Sequence, residues 1–155
     1  TIQGATLETV HQQAVRKGTK DPDPMMLAMN KLGYDMMTLG NHEFNYGLKN
    51  LEAARQAAKF PWVSANIEGP AKFAPYFIKT VSGVRVAIVG ITTETIPSWE
   101  KKENYAPLKF ESAVAVAKKT VAELRASKKA DVIVISAHNE ERNIREKEYR
   151  WKHGF

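Results

Sequence analysis

The chain has 155 residues, 43% hydrophobic and 26% charged, with no cysteine and a net charge of +6 from 23 Lys+Arg against 17 Asp+Glu. That is enough for one domain with a modest core; the missing cysteines exclude disulfides and thiolate metal sites, and no apolar run approaches the ~20 residues of a membrane span. The cationic excess gathers at Lys118, Lys119, Arg125, Lys128 and Lys129 near the end of a predicted helix, with no aromatic among them, so it reads as a solvated face and no nucleic-acid partner is expected.

In chain order, Leu7 to Val15 reads as a short helix ending at Gly18. Asp21-Pro22-Asp23-Pro24 sets up the next helix, with Asp23 as N-cap and Pro24 in the first position. Met26, Met29 and Leu32 follow at a spacing near three, and Gly33 closes it. Tyr34 to Leu39 reads as a buried strand, and Leu48 to Lys59 as a helix with Leu48, Leu51, Ala54 and Ala58 on one face. Trp62 to Ile67 is a strand. After a Gly69-Pro70 turn, Tyr76–Val81 and Val84–Thr92 read as a hairpin about Ser82-Gly83, its second strand apolar on both faces like a central strand.

Thr93 to Phe110 is expected to be a long polar loop, of a length that favours function or mobility. Ser112 to Ser127 is the clearest helix, with Val114, Ala117, Val121 and Leu124 in 3-4-3 spacing. It feeds a continuous apolar strand, Asp131 to Ser136. Met25, Met26, Met29, Met36 and Met37 read as adaptable core. The element order predicts an α/β layered sheet with no repeat and no boundary before Ala137. Residues 139–155 change character and form a charged tail, where the i,i+4 pairs Glu141/Arg145 and Glu148/Lys152 allow a short helix.

Chemistry concentrates in Gly40-Asn41-His42-Glu43-Phe44, where the apolar run Met36, Met37, Leu39 gives out. Open α/β sheets bind ligands beyond the carboxyl ends of their strands. Asn offers a cation an uncharged oxygen, and His carries a proton or a metal near neutral pH. Gly40 is expected to allow a sharp turn and a close backbone approach. His138 also follows an apolar strand; were the two strands parallel neighbours, Asn41 and His138 would emerge on one sheet edge. His11 and His153 read as surface residues without a ligand-type neighbour at metal spacing. Phe44 and Tyr46 read as packing residues.

Thr38-Leu39-Gly40-Asn41-His42-Glu43-Phe44-Asn45-Tyr46-Gly47 resembles the third signature block of the calcineurin-like metallophosphoesterases. The resemblance is closest to their 5'-nucleotidase and 2',3'-cyclic-nucleotide phosphodiesterase branch. Asp23-Pro24-Met25-Met26, Asn30 to Asp35, Phe60 to Ile67 and Asp131 to His138 are similar to the flanking segments. The resemblance implies a layered α/β sandwich, incomplete at both ends, with residues 1–138 forming part of a catalytic domain. The family's Gly-Asp, whose aspartate bridges two metals, is expected just before Thr1, and its Gly-His-x-His block does not follow His138. By the same resemblance, Asn41 and His138 are metal ligands, His42 is catalytic, and Glu43 and Gly40 support them.

The implied parent hydrolyses nucleotide phosphate esters, or other phosphate esters, with a divalent pair (Mn, Zn or Mg), and is periplasmic, surface-bound or secreted. Two neutral ligands offset dehydration of a divalent cation poorly, so the isolated chain is expected to bind metal weakly or not at all and to be inactive. The rival reading is a non-catalytic α/β interaction domain that keeps the scaffold. In either case, exposed sheet edges favour association.

Overall fold

The computed structural model describes residues 6–138; the 139–155 tail, its two charge pairs and His153 lie outside the described residues. The chain opens with α1 (Thr6–Arg16) and α2 (Pro24–Leu32). Asp23 starts α2 as its sequence requires: Oδ1 accepts from Met25 N at 2.8 Å and Met26 N at 3.0 Å. These are amides that no helical carbonyl can reach. Gly33 ends the helix at φ 72°, a left-handed position at no steric cost for glycine.

Next come β1 (Met37–Thr38), a 3₁₀ turn (Asn41–Phe44), α3 (Gly47–Ala57), β2 (Trp62–Val63) and β3 (Ile67–Glu68). The hairpin strands are β4 (Tyr76–Val81) and β5 (Val84–Thr92), followed by a 3₁₀ turn (Ile96–Ser98), α4 (Lys102–Tyr105) and β6 (Lys109–Phe110). The described residues close with α5 (Ala113–Ala126) and β7 (Val132–His138). Ser82 and Gly83 both take positive φ, 49° and 85°, which matches the twist of the hairpin they join.

Two expected strands are shorter in the structure. Tyr34–Leu39 contributes only β1, and Trp62–Ile67 divides into β2 and β3. β1 and β2 pair in parallel, Met37 with Trp62 and Thr38 with Val63, and Val63 forms an isolated parallel bridge to Ala74. Beyond Val63 the backbone leaves this pair for the neighbouring sheet, where Ala65 N donates to Gly90 O at 2.8 Å. In that three-stranded sheet β5 is central, antiparallel to β4 and parallel to β7.

Alternation along the strands sorts the layers. Ala87, Val89 and Ile91 of β5 pack with Ala113 and Leu124 of α5. Gly90 and Thr92 face the other way, against β1–β2: a Cβ on Gly90 would lie 2.5 Å from Val63 O, and Thr92 Oγ1 donates to Leu39 O at 3.0 Å. On the far side of β1–β2, Met37, Leu39 and Trp62 join Met26 and Met29 of α2 and Leu51 and Ala54 of α3 in the larger core. The layers run α5, β4–β5–β7, β1–β2, α2–α3. This is the layered α/β sandwich that the sequence implied.

Thr93–Phe110 is not a bare loop. Ile96 and Leu108 are buried in the larger core, and β6 pairs antiparallel with β3, Phe110 opposite Ile67. Strand β7 departs from expectation in the opposite sense. Its unbroken apolar run reads as buried, yet Val132, Val134 and Ile135 are 45%, 43% and 49% exposed. Among the described residues its ladder is one-sided, with β5 alone. No described helix is long and apolar enough to cross a membrane.

Candidate metal and catalytic site

Register explains how Asn41 and His138 meet. In the β5–β7 ladder Gly90 pairs with Ser136 and Thr92 with His138, so Ser136 and His138 share the face that Gly90 and Thr92 turn toward β1–β2. Thr38 Oγ1 donates to Ser136 Oγ at 2.9 Å across the two sheets. Two residues further on, His138 reaches the turn after β1, and its Nε2 lies 2.8 Å from Asn41 Oδ1. The meeting is therefore between facing sheets. Among the described residues the two strands belong to different sheets, β1 with β2 and β7 with β5, and so are not neighbours in one.

Gly40 serves this contact through its size. Its backbone is extended, φ −108° and ψ −178°, a conformation open to any residue, so the expected sharp glycine turn is not what occurs. A Cβ there would sit 2.9 Å from Glu43 Oε2 and 2.9 Å from Cε1 and Nε2 of His138. Glu43, 3% exposed, accepts from Gly40 N at 2.7 Å through Oε2. Phe44 is buried and meets Phe110 edge to face at 5.4 Å. The turn thus drives Glu43 and Phe44 inward, leaving Asn41 half-buried and His42 exposed.

His42 is held by a relay from the segment after β5. Its Nδ1 lies 2.8 Å from Asn45 Oδ1, while Asn45 Nδ2 donates to Glu100 Oε2. A carboxylate only accepts, so Asn45 must turn its amide nitrogen to Glu100 and its oxygen to His42. Nδ1 then carries the proton, and in the neutral ring Nε2 bears the lone pair. Asn104 Nδ2 donates to Glu100 Oε1 at 2.8 Å, and Lys101 N donates to the same oxygen at 2.8 Å. Burial pushes the Glu100 carboxyl up, but these hydrogen bonds with that of Asn45 outweigh it and leave the group below its ordinary value.

A buried polar network fixes the root of the turn. Thr92 Oγ1 spends its one proton on Leu39 O, so Ser64 is the donor in the 2.8 Å Ser64–Thr92 hydroxyl contact. Asn66, fully buried, accepts from Thr92 N at 2.9 Å and donates to Thr92 O at 2.7 Å and Glu111 O at 3.0 Å. Every one of these groups is satisfied, which makes the network stiff.

Sequence reasoning placed Asn41, His42, Glu43, Gly40 and His138 at the site and missed Asn45, Glu100, Asn104, Asn66 and Thr92. Asn45 had a signal, lying three residues beyond His42 in the block already singled out. Glu100 and Asn104 had none, since folding of the supposed loop brings them in. An open pocket of about 890 Å³ lies alongside, sharing Asn45, Glu100, Lys101 and Asn104 with the relay but not lined by Asn41, His42 or His138.

The Asn41–His138 pair fits a hard or borderline divalent cation. Two ligands about 2.0–2.2 Å from one ion at tetrahedral or octahedral angles are roughly 2.8–3.6 Å apart. The observed 2.8 Å is at the lower end of that range. Because Asn41 Oδ1 only accepts, the contact places a proton on His138 Nε2, and an ion would take that proton's place.

The fold is that of a calcineurin-like metallophosphoesterase domain. The family model described as "Bacterial capsule synthesis protein PGA_cap", of metallophosphoesterase type, matches residues 5–152, and the chain belongs to this family. Its relatives include the 5'-nucleotidase of Vibrio cholerae serotype O1, 37% identical over 123 residues that cover 77% of this chain and 22% of the relative. The 2',3'-cyclic-nucleotide 2'-phosphodiesterase/3'-nucleotidase of Salmonella typhimurium is 37% identical over 139 residues, 79% of this chain and 21% of the relative. Among solved structures, the calcineurin-like phosphoesterase YfkN from Bacillus subtilis aligns with a TM-score of 0.74 at 34% identity, over 88% of this chain and 45% of that one. The chain spans about a fifth of the length of these curated relatives, which are named as hydrolases of nucleotide phosphate esters.

Proposed function

We propose that this chain supplies one metal-binding face and the catalytic histidine of a two-metal phosphoesterase acting on nucleotide phosphate esters, 5'-nucleotides or 2',3'-cyclic nucleotides. The observation that carries the reading is the approach of Asn41 Oδ1 and His138 Nε2 to 2.8 Å from two different sheets, next to a histidine whose Nδ1 is engaged by Asn45. Asn41 and His138 would hold one divalent cation of the Mn, Zn or Mg class, the remaining ligands coming from the rest of the longer polypeptide. When bound, the metals polarise the phosphoryl group and activate a water.

The chain's own residues have separate tasks. His138 gives up its Nε2 proton to become a ligand, while Asn41 offers an oxygen without adding charge. Gly40 and Glu43 keep the turn close enough for both to reach one point. His42, its Nδ1 proton anchored on Asn45, presents Nε2 to stabilise developing charge or, when protonated, to donate to the leaving alkoxide. The nucleotide substrate is supported by the names of the relatives, and a periplasmic, surface-bound or secreted parent by the resemblance alone. With two neutral ligands, the isolated chain binds metal weakly at this site and does not turn over efficiently.

The test uses the full-length parent. Asn41→Ala and His138→Ala should each lower hydrolysis of AMP and bis(p-nitrophenyl) phosphate by roughly a hundredfold or more, with bound metal reduced and the circular dichroism spectrum unchanged. Undiminished activity in both variants would overturn the reading and favour a non-catalytic interaction domain, for which the exposed β7 edge is the supporting feature.

A further inference from the structure

We infer that Glu8, His11 and Asp23 form a second divalent-cation site, structural in role and separate from the one at Asn41 and His138. One carboxylate oxygen from each acid and one imidazole nitrogen lie within 4.8 Å of one another. Glu8 is 0% and Asp23 5% exposed, so both carboxylates are largely withdrawn from bulk water. Each has one oxygen committed: Glu8 Oε1 accepts from Gln12 Nε2 at 2.7 Å, and Asp23 Oδ1 caps α2. The second oxygens, Glu8 Oε2 and Asp23 Oδ2, are shielded from solvent and have no hydrogen-bond partner. Among the described residues, no Lys or Arg ion pair involves either group.

Two buried carboxylates side by side repel, and each loses hydration. A cation between them removes both penalties. Two oxygens and one imidazole nitrogen form a donor set for Zn or Mn. Ligand atoms about 2.0–2.2 Å from one ion are roughly 2.8–3.6 Å apart at tetrahedral or octahedral angles, so donors that lie within 4.8 Å of one another close on an ion by side-chain shifts of up to about 1–2 Å.

His11 and Asp23 also line the open pocket of about 890 Å³, which gives an ion a path in and leaves room for water as a further ligand. The surroundings already orient the donors. Gln12 holds Glu8 and bonds Asn50 Oδ1 of α3 at 3.0 Å, while the α2 amides hold Asp23. An ion here fastens α1 onto the start of α2. His11 is thus half-buried beside two acids, not the lone surface histidine expected. Glu8 precedes it by three residues on the same helix face, and only the fold brings in Asp23. The inference does not depend on the phosphoesterase reading.

The experiment uses the whole chain after chelator treatment, in an Asn41→Ala/His138→Ala background that removes the other candidate site. Zn²⁺ and Mn²⁺ are titrated separately, with stoichiometry by calorimetry and elemental analysis and thermal unfolding followed by circular dichroism. One ion should bind per chain. The melting temperature should rise by roughly 5–10 °C at a hundredfold excess over Kd. Glu8→Gln, Asp23→Asn and His11→Ala should each weaken binding at least tenfold and abolish the rise. The first two keep the bond from Gln12 and the helix cap, and the third alters a half-exposed side chain, so at least one variant stays folded. No bound equivalent in the background protein, or unchanged affinity in the folded variants, overturns the site.

Discussion

Asn41 and His42 stand on a turn whose inward side chains are buried and whose root is tied by Asn66, Ser64 and Thr92, whereas His138 ends a strand with three apolar residues 43–49% exposed. One side of the site is fixed by hydrogen bonds that water cannot replace. Among the described residues, the other side has a one-sided ladder, the packing of Ile133 on the smaller core and the Arg85–Asp131 bonds at its far end, but only one hydroxyl contact across to β1, Thr38 to Ser136 at 2.9 Å. The difference separates two kinds of sensitivity: changes at the first side should register mainly as lost stability, and changes at the second mainly as lost alignment.

The sharpest way to break the comparison is at Asn66. Asn66→Ala removes two buried hydrogen bonds to Thr92 and a partly buried one to Glu111 and strands backbone groups of both, so it should cost on the order of 3–4 kcal/mol in urea unfolding. A cost under about 1 kcal/mol would mean that this side is not the stiff one.

Gly40→Ala comes next. Its methyl would press on the Glu43 carboxylate and the His138 ring, costing about 1–2 kcal/mol and displacing the ring. Hydrolysis by the full-length parent should fall more than stability does. Unaltered activity would show that the ring has room to spare.

Thr38→Val tests the weak side directly. Losing the hydroxyl pair should cost about 1 kcal/mol, yet it should broaden or shift the His138 imidazole resonances while leaving those of His42 in place. Equal perturbation of both rings would erase the distinction.

The smallest effect lies at the start of β7, where Arg85 Nη2 meets Asp131 Oδ1 at 2.7 Å and Arg85 N meets Asp131 Oδ2 at 2.8 Å. The guanidinium hydrogen bond, then the backbone one, lowers the Asp131 carboxyl from 3.8 to about 2. A lowered folded-state pKa contributes stability above the unfolded value that is lost as pH falls through the folded one. The contribution should therefore be present above about pH 4 and fade toward pH 2. Asp131→Asn should remove that slope and lower stability at pH 7 by the same small amount, since the pair is solvent-exposed. An unchanged acid limb would refute the linkage.

Much of this was legible in the residues. The cap at Asp23, the stop at Gly33 and the hairpin at Ser82-Gly83 follow from local chemistry, and each stands where the chain order put it. The block at residues 40–44 was legible because its residue types are unusual together. What escaped was set by tertiary structure. Ile96 and Leu108 are too far apart to show a period, so the folding of 93–110, which delivers Glu100, left no pattern. The run at 131–136 reads the same whether covered or exposed, because hydropathy reports what a strand tolerates and says nothing of what lies over it. Asn66 looked like any polar residue after a strand, and only its partners reveal its weight.

The pairing of Thr92 with His138 makes β7 a counting device. Inserting or deleting one residue between 132 and 138 would swing the imidazole to the α5 side of the sheet, and adding two would restore its side but carry it roughly 7 Å past Asn41. Composition along that stretch can drift among apolar residues, but its length has no such freedom.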